Sequence, residues 1–251
     1  MKRLENKVAI VTGGARDLGR QVSLTLAREG AKVVINYFDN PEDADCTIQM
    51  INDLGGQAIK VQGDMTKEED VKRLVKEAVN VYGNKIDILV NVVGGLVGRK
   101  KITEQDENWY NFLMDVNMKS CWLCTREVVP CMTKGASIIN FSSLAARDGG
   151  GAGASLYATA KGAVAVFTRA MAKELGPDGI RVNAVAPGTI ATSFHDRFNT
   201  PENRERMKGI YPLRREGDAQ DVADLILFLA SDESDYITGT NIDINGGIFF
   251  S

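Results

Sequence analysis

Seven short apolar runs, each followed by a longer stretch of helical periodicity, constrain this chain more than any other feature. They are Val8 to Val11, Val33 to Ile35, Ala58 to Val61, Ile86 to Val90, Ser137 to Phe141, Val182 to Val185 and Asn241 to Ile244. β-Branched side chains lose freedom in a helix and fit a pleated surface, so runs this short read as strands. A helix between successive strands carries the chain back across the sheet, and the strands then lie parallel. The runs are almost continuously apolar, as strands covered on both faces are. The expected fold class is α/β, a doubly wound seven-stranded parallel sheet with helices on both faces. No proline-rich or glycine/serine-rich linker divides the series, so residues 1–251 are expected to form a single domain.

Composition narrows the function classes. With 44% hydrophobic and 25% charged residues the chain resembles an ordinary soluble domain, and a net charge of −3 argues against a nucleic-acid partner. The basic start, Met1-Lys2-Arg3, precedes an apolar run that stops at Val11, too short for a signal peptide. No segment has the apolar length of a membrane span, and cytoplasmic residence is the expectation. Cys121-Trp122-Leu123-Cys124 has the spacing of a zinc or redox half-site, but there is no second pair, and His195 is the sole histidine. No metal is expected, and these cysteines read as buried structural thiols, His195 as a loop residue.

The first strand runs straight into Thr12-Gly13-Gly14-Ala15-Arg16-Asp17-Leu18-Gly19, and Val22, Leu24 and Leu26 then open an apolar helix face. A glycine-rich turn here lets backbone approach a pyrophosphate and aims the helix N-terminus at it. By itself the turn is also compatible with a plain strand-to-helix connection. Tyr157 and Lys161 are four apart in a helical stretch and rise from one face. An ammonium beside a phenol stabilises phenolate, which makes the tyrosine a usable acid and base.

Taken in order, Thr12-Gly13 with Gly19, Asn91 with Gly94, Asn117, Ser143, Tyr157 with Lys161, and Pro187-Gly188 resemble the motifs of the classical short-chain dehydrogenase/reductase family. The likeness covers essentially the whole chain and is nearest to 3-oxoacyl-carrier-protein reductase-like members. It implies a Rossmann-type fold and hydride transfer between NADP(H) or NAD(H) and a carbonyl or secondary alcohol. Tyr157 would be the general acid/base, Lys161 its support and the ribose anchor, Ser143 the substrate-oxygen partner, and Asn117 the holder of a water. Ser142 is a rival to Ser143, and the stretch from Ser143 to Tyr157 is about one residue longer than usual, in Gly149-Gly150-Gly151-Ala152-Gly153. Asp17 stands where the family usually has glycine. It could cap the following helix, but its carboxylate would repel a pyrophosphate.

For the cofactor, the likeness implies contacts from Gly13, Arg16, Asp17, Leu18, Tyr37, Asp64, Met65, Asn91, Tyr157, Lys161, Pro187, Gly188, Ile190 and Thr192. An acidic residue at the end of strand two favours NAD, whereas that position is Tyr37 here, and Arg16 suits a phosphate. NADP is therefore expected. The alternative is that Arg16 pairs with Asp17 or solvent and Asp39 reaches the ribose. Residues 190–212 read as a substrate lid. Arg197, Arg204, Arg206 and Lys208 in it, and Arg99-Lys100-Lys101 after strand four, either select an anionic substrate or are solvated. Relatives imply a homotetramer, which the apolar Ile248-Phe249-Phe250 ending would suit. A non-catalytic NADP(H)-binding regulatory protein of the same fold is the competing function.

Overall fold

The computed structural model describes residues 2–192 and 200–250. Its strands are β1 (Val8–Thr12), β2 (Lys32–Tyr37), β3 (Gln57–Gln62), β4 (Ile88–Asn91), β5 (Ser137–Phe141), β6 (Arg181–Pro187) and β7 (Asn241–Ile244). All are parallel, in one sheet of order β3-β2-β1-β4-β5-β6-β7. The order reverses between β1 and β4, where Thr12 pairs with Asn91, and crevices that bind ligands form at the carboxyl ends of strands at such a point.

The helices are α1 (Asp17–Arg28), α2 (Pro41–Asp53), α3 (Glu68–Tyr82), α4 (Glu107–Met114), α5 (Ser120–Val128), α6 (Ala145–Asp148), α7 (Ser155–Leu175), α8 (Pro201–Lys208) and α9 (Ala219–Ala230). Side chains alternate across a strand, and this splits the apolar runs between two cores. Ala9, Val11, Val33, Ile35, Val90 and Ile139 pack with Val22 and Leu26 of α1 and Val222 and Ile226 of α9. Ile10, Val34, Leu89 and Ile138 face the other way, onto Leu74 of α3, Leu123 of α5 and Ala172 of α7. Burial on both faces is why the runs lack a polar alternation.

Five strands differ in bounds from the sequence reading: β1, β2, β3 and β6 run longer, and β4 begins two residues later and ends one later. Ile86 and Asp87 precede β4, because the Asp87 carboxylate accepts from Val8 N at 2.9 Å and pairs with Lys85 at 2.7 Å, leaving it beside the strand start. The edge strand β3 is only partly buried, which matches its Gln57, Lys60 and Gln62. No helix among the described residues is long and apolar enough to cross a membrane.

Candidate active site

The turn after β1 is shaped by close backbone approach. A Cβ on Gly19 would lie 2.0 Å from the Gly13 carbonyl oxygen, and one on Gly14 would lie 2.9 Å from that of Val11. The turn is held from two sides: Gly13 N donates to Asn36 Oδ1 at 3.1 Å, and Thr12 Oγ1 accepts from Val92 N at 3.0 Å. Asn36 Nδ2 also reaches the Gly63 carbonyl at 3.0 Å, so one buried carboxamide pins the ends of three strands. The sequence reading passed over Asn36, although an amide ending the run Val33-Val34-Ile35 must find partners if buried. Arg16 is the N-cap residue of α1, exposed, and its side chain makes no hydrogen bond or ion pair among the described residues. Asp17 opens the helix with φ 48°, the left-handed region that favours glycine, so it lies one place inside the cap position expected of it. Tyr37 closes β2, with Lys60 Nζ 5.8 Å from its ring centre. Asp64 Oδ1 accepts from Thr66 Oγ1 at 2.7 Å, Met65 is buried beside it, and the buried Asn91 donates to Asn140 Oδ1 at 2.9 Å.

At the end of β5 the two serines part company. Ser142 Oγ is buried and donates to the Lys161 carbonyl at 3.0 Å, whereas the Ser143 side chain lies on the Tyr157 side, its Oγ accepting from Ala145 N at 3.1 Å. Tyr157 and Lys161 stand one turn apart on α7. Burial pushes the Tyr157 phenol up from its ordinary value, opposed by the nearby Ser143 hydroxyl. Lys161 is buried as well and is held down to about 8 by desolvation. The direct ammonium-to-phenol coupling expected from their spacing is not what acts on Tyr157: Lys161 Nζ lies 6.0 Å from the ring centre and donates to the Phe141 carbonyl at 2.8 Å. Asn117 lies in a π turn, Asp115–Lys119, between α4 and α5. Its amide takes Gly95 N at 2.8 Å and gives to the carbonyls of Gly95 and Leu113, both at 3.0 Å. A Cβ on Gly94 would lie 2.7 Å from both Asn117 Oδ1 and Lys161 Nζ, so these two groups meet beside Gly94. The sequence reading named these four side chains but missed the π turn and the Phe141 carbonyl, neither of which has a residue signature.

A family model described as enoyl-(acyl carrier protein) reductase matches residues 13–249. The chain belongs to the short-chain dehydrogenase/reductase family. It is 38% identical over 251 residues to a 3-oxoacyl-[acyl-carrier-protein] reductase of Synechocystis, with 99% of each chain covered. It is 35% identical over 246 residues to the 3-oxoacyl-[acyl-carrier-protein] reductase FabG of Staphylococcus epidermidis, covering 97% of this chain and 99% of that one. Among solved structures, a dehydrogenase/reductase of Sinorhizobium meliloti superposes with TM-score 0.93 at 31% identity, over 98% of this chain and 96% of the other. A short-chain dehydrogenase/reductase of Serratia marcescens gives 0.92 at 30% identity, over 98% and 99%.

As a short-chain dehydrogenase/reductase the chain is an oxidoreductase, and the remaining wall of its crevice lies past β6. Pro187 ends that strand, and a Cβ on Gly188 would lie 2.9 Å from Asn245 Cα, so only glycine fits there. Tyr211 OH donates to Thr189 Oγ1 at 2.5 Å, and Ile190 is buried and bridges to Gly217. The Thr192 hydroxyl donates back to the Ile190 carbonyl at 3.3 Å. Arg204, read from sequence as part of a basic lid, is engaged by the buried Glu216 carboxylate, with Nη2 to Oε2 at 2.6 Å. His195 and Arg197 lie outside the described residues. Burial pushes the Cys121 thiol up to about 12 and Cys124 up as well, which makes both poor nucleophiles or ligands, as expected of structural cysteines.

Proposed function

We propose that this chain reduces a ketone, or oxidises the matching secondary alcohol, with NADP(H), and that Tyr157 is the general acid/base. The observation that carries the reading is the grouping of Ser143 with Tyr157, one helical turn from a buried Lys161 whose Nζ meets Asn117 Oδ1 beside Gly94, which leaves two hydroxyls to share one substrate oxygen. In the reductive direction Tyr157 donates its proton to the oxygen as it becomes alkoxide, and burial keeps the phenol protonated until then. Lys161 holds the nicotinamide ribose, and Asn117 supports the wall beside it. When bound, the nicotinamide supplies or accepts the hydride.

The glycine turn fits the pyrophosphate, because backbone leaves no room for a Cβ at Gly14 and Gly19, Gly13 has φ 61°, and α1 begins there. Leu18, Asp64, Met65 and Asn91 line the adenosine side of this reading, and Pro187, Gly188, Ile190 and Thr192 the nicotinamide side. NADP over NAD is supported by Tyr37 at the end of β2 and by the uncommitted Arg16 guanidinium, which suits a phosphate. The relatives' names make a 3-oxoacyl thioester the first substrate class to try. Residues 190–212, of which 193–199 lie outside the described residues, are its lid in this reading, within one catalytic domain of residues 1–251. Assembly as a tetramer is supported by half-exposed Tyr110, Phe112 and Trp122 on α4 and α5 and by exposed Phe250.

The test is turnover of a short 3-oxoacyl thioester and a matching 2-enoyl thioester with NADPH and with NADH. Fastest oxidation of NADPH with the ketone is the expected result. NADPH binding without oxidation by any carbonyl would instead favour the regulatory alternative.

A further inference from the structure

The segment after β4 touches both halves of the candidate site. At its start, Gly94 and Gly95 lie against Lys161 and Asn117. Farther on it crosses to the glycine-rich connection between Ser143 and Tyr157. There Arg99 Nη1 donates to the Ala152 carbonyl at 3.0 Å and Lys100 N donates to the Gly153 carbonyl at 3.1 Å. Gln105 Nε2 extends the contact, donating to Ser155 Oγ at 3.0 Å at the first turn of α7 and to the Lys100 carbonyl at 2.9 Å. The glycines are what admit Arg99. A Cβ on Gly151 would lie 2.9 Å from Arg99 Nη1, and one on Gly153 would lie 3.0 Å from Arg99 Cβ.

We infer that Arg99 is a positioning residue, clasping Gly151 to Gly153 so that the start of α7, and with it Tyr157, is held in register with Ser143. Glycine-rich backbone has the largest conformational freedom to lose, so a connection built from Gly149, Gly150, Gly151 and Gly153 does not fix its own path. Its upstream end is fixed, since Arg147 Nε donates to Asp243 Oδ1 at 3.1 Å and Nη2 to the Asn241 carbonyl at 2.6 Å, tying α6 to β7. The stretch before α7 holds itself only by a short turn, Ala154 N donating to the Gly151 carbonyl at 3.0 Å, and Arg99 with Lys100 ties that turn to the segment after β4. A planar guanidinium lying on bare backbone needs positions without a Cβ, which is why the added length of this connection is glycine. Arg99 is thereby committed to the protein, a use that neither solvation nor an anionic substrate had assigned it.

Two measurements separate the clasp from its effect on the reaction, which rests on the reductase reading above. The clasp is read by thermal unfolding of Arg99→Ala, Gly151→Ala and the double variant. Gly151→Ala is expected to lower the midpoint in the wild-type background and to cost much less beside Arg99→Ala, where the methyl group has room. Additive costs would overturn the clasp. The positioning role is read by NADPH-dependent reduction of a short 3-oxoacyl thioester: Arg99→Ala is expected to lower kcat by about 10-fold or more with NADPH affinity unchanged, and Arg99→Lys to recover part of it. Unaltered kcat in Arg99→Ala, with coupling present, would overturn the positioning role while leaving the clasp. If the wild-type chain reduces no ketone, the reductase reading and the positioning role fall together, and the unfolding cycle still decides the clasp.

Discussion

Asn117 and Gly95 exchange two hydrogen bonds: Gly95 N donates to Asn117 Oδ1 at 2.8 Å and Asn117 Nδ2 donates back to the Gly95 carbonyl at 3.0 Å. The exchange locks the loop after β4 to the π turn between α4 and α5. Both amide protons of Asn117 are thereby used within the protein, the second on Leu113, and any water it holds must come to Oδ1 or to its main chain. The same loop brings Gly94 against Lys161, so this lysine is placed from outside its own helix as well as by it.

That arrangement makes Gly94 a sensitive position. It combines φ 150° with a Cβ site 2.7 Å from both Asn117 Oδ1 and Lys161 Nζ. Gly94→Ala is expected to cost about 2 kcal/mol of stability or more and to depress kcat, through displacement of two buried polar groups. Chemical denaturation and steady-state kinetics on the same preparation check it.

Removing the phenol oxygen tests the acid/base assignment. Tyr157→Phe keeps the ring and its packing while deleting the proton donor, so kcat should fall by about 100-fold or more with NADPH affinity little changed. Cofactor fluorescence titration and turnover read the two halves; comparable turnover in the variant would sink the mechanism.

Lys161 gives a pH dependence with a defined sign. Held down to about 8 against an ordinary value of 10.5, it is neutral in the folded chain while still charged in the unfolded one between those limits. The unfolded state then binds more protons, so this group makes stability rise with pH across that window; below about 8 its burial cost is fully present. Where the ammonium supports the reaction, kcat should decline as pH passes upward through about 8. Lys161→Met should abolish turnover yet stabilise the cofactor-free protein by about 1–3 kcal/mol at neutral pH. A melting midpoint below wild type would contradict this.

Arg16 is expected to set cofactor choice. Arg16→Ala should raise the KM for NADPH by about 10-fold and leave that for NADH nearly unchanged, because only NADPH carries the extra phosphate. Equal effects on both cofactors, or a wild-type preference for NADH, would count against the assignment.

The fold was legible because burial on both faces forces the inner strands of this sheet to be apolar runs, while the edge strands β3 and β7 are only partly buried; β5 and β7 have the bounds read from sequence. The four side chains of the candidate site were legible because the chemistry proposed for them demands particular residue types: a phenol, an amine one helical turn on, a hydroxyl after a strand, a carboxamide. Their partners were not, since Phe141 and Gly95 take part through main-chain atoms that every residue has. The choice between Ser142 and Ser143 likewise needed three dimensions. Successive residues leaving β5 point to opposite sides, and only the packing of α7 shows that Ser142 faces the Lys161 carbonyl and Ser143 faces Tyr157. Residue type fixed which chemistry was available to this chain, and long-range packing decided which atoms meet, because the contacts that set the site join segments far apart in sequence through backbone groups that carry no sequence signal.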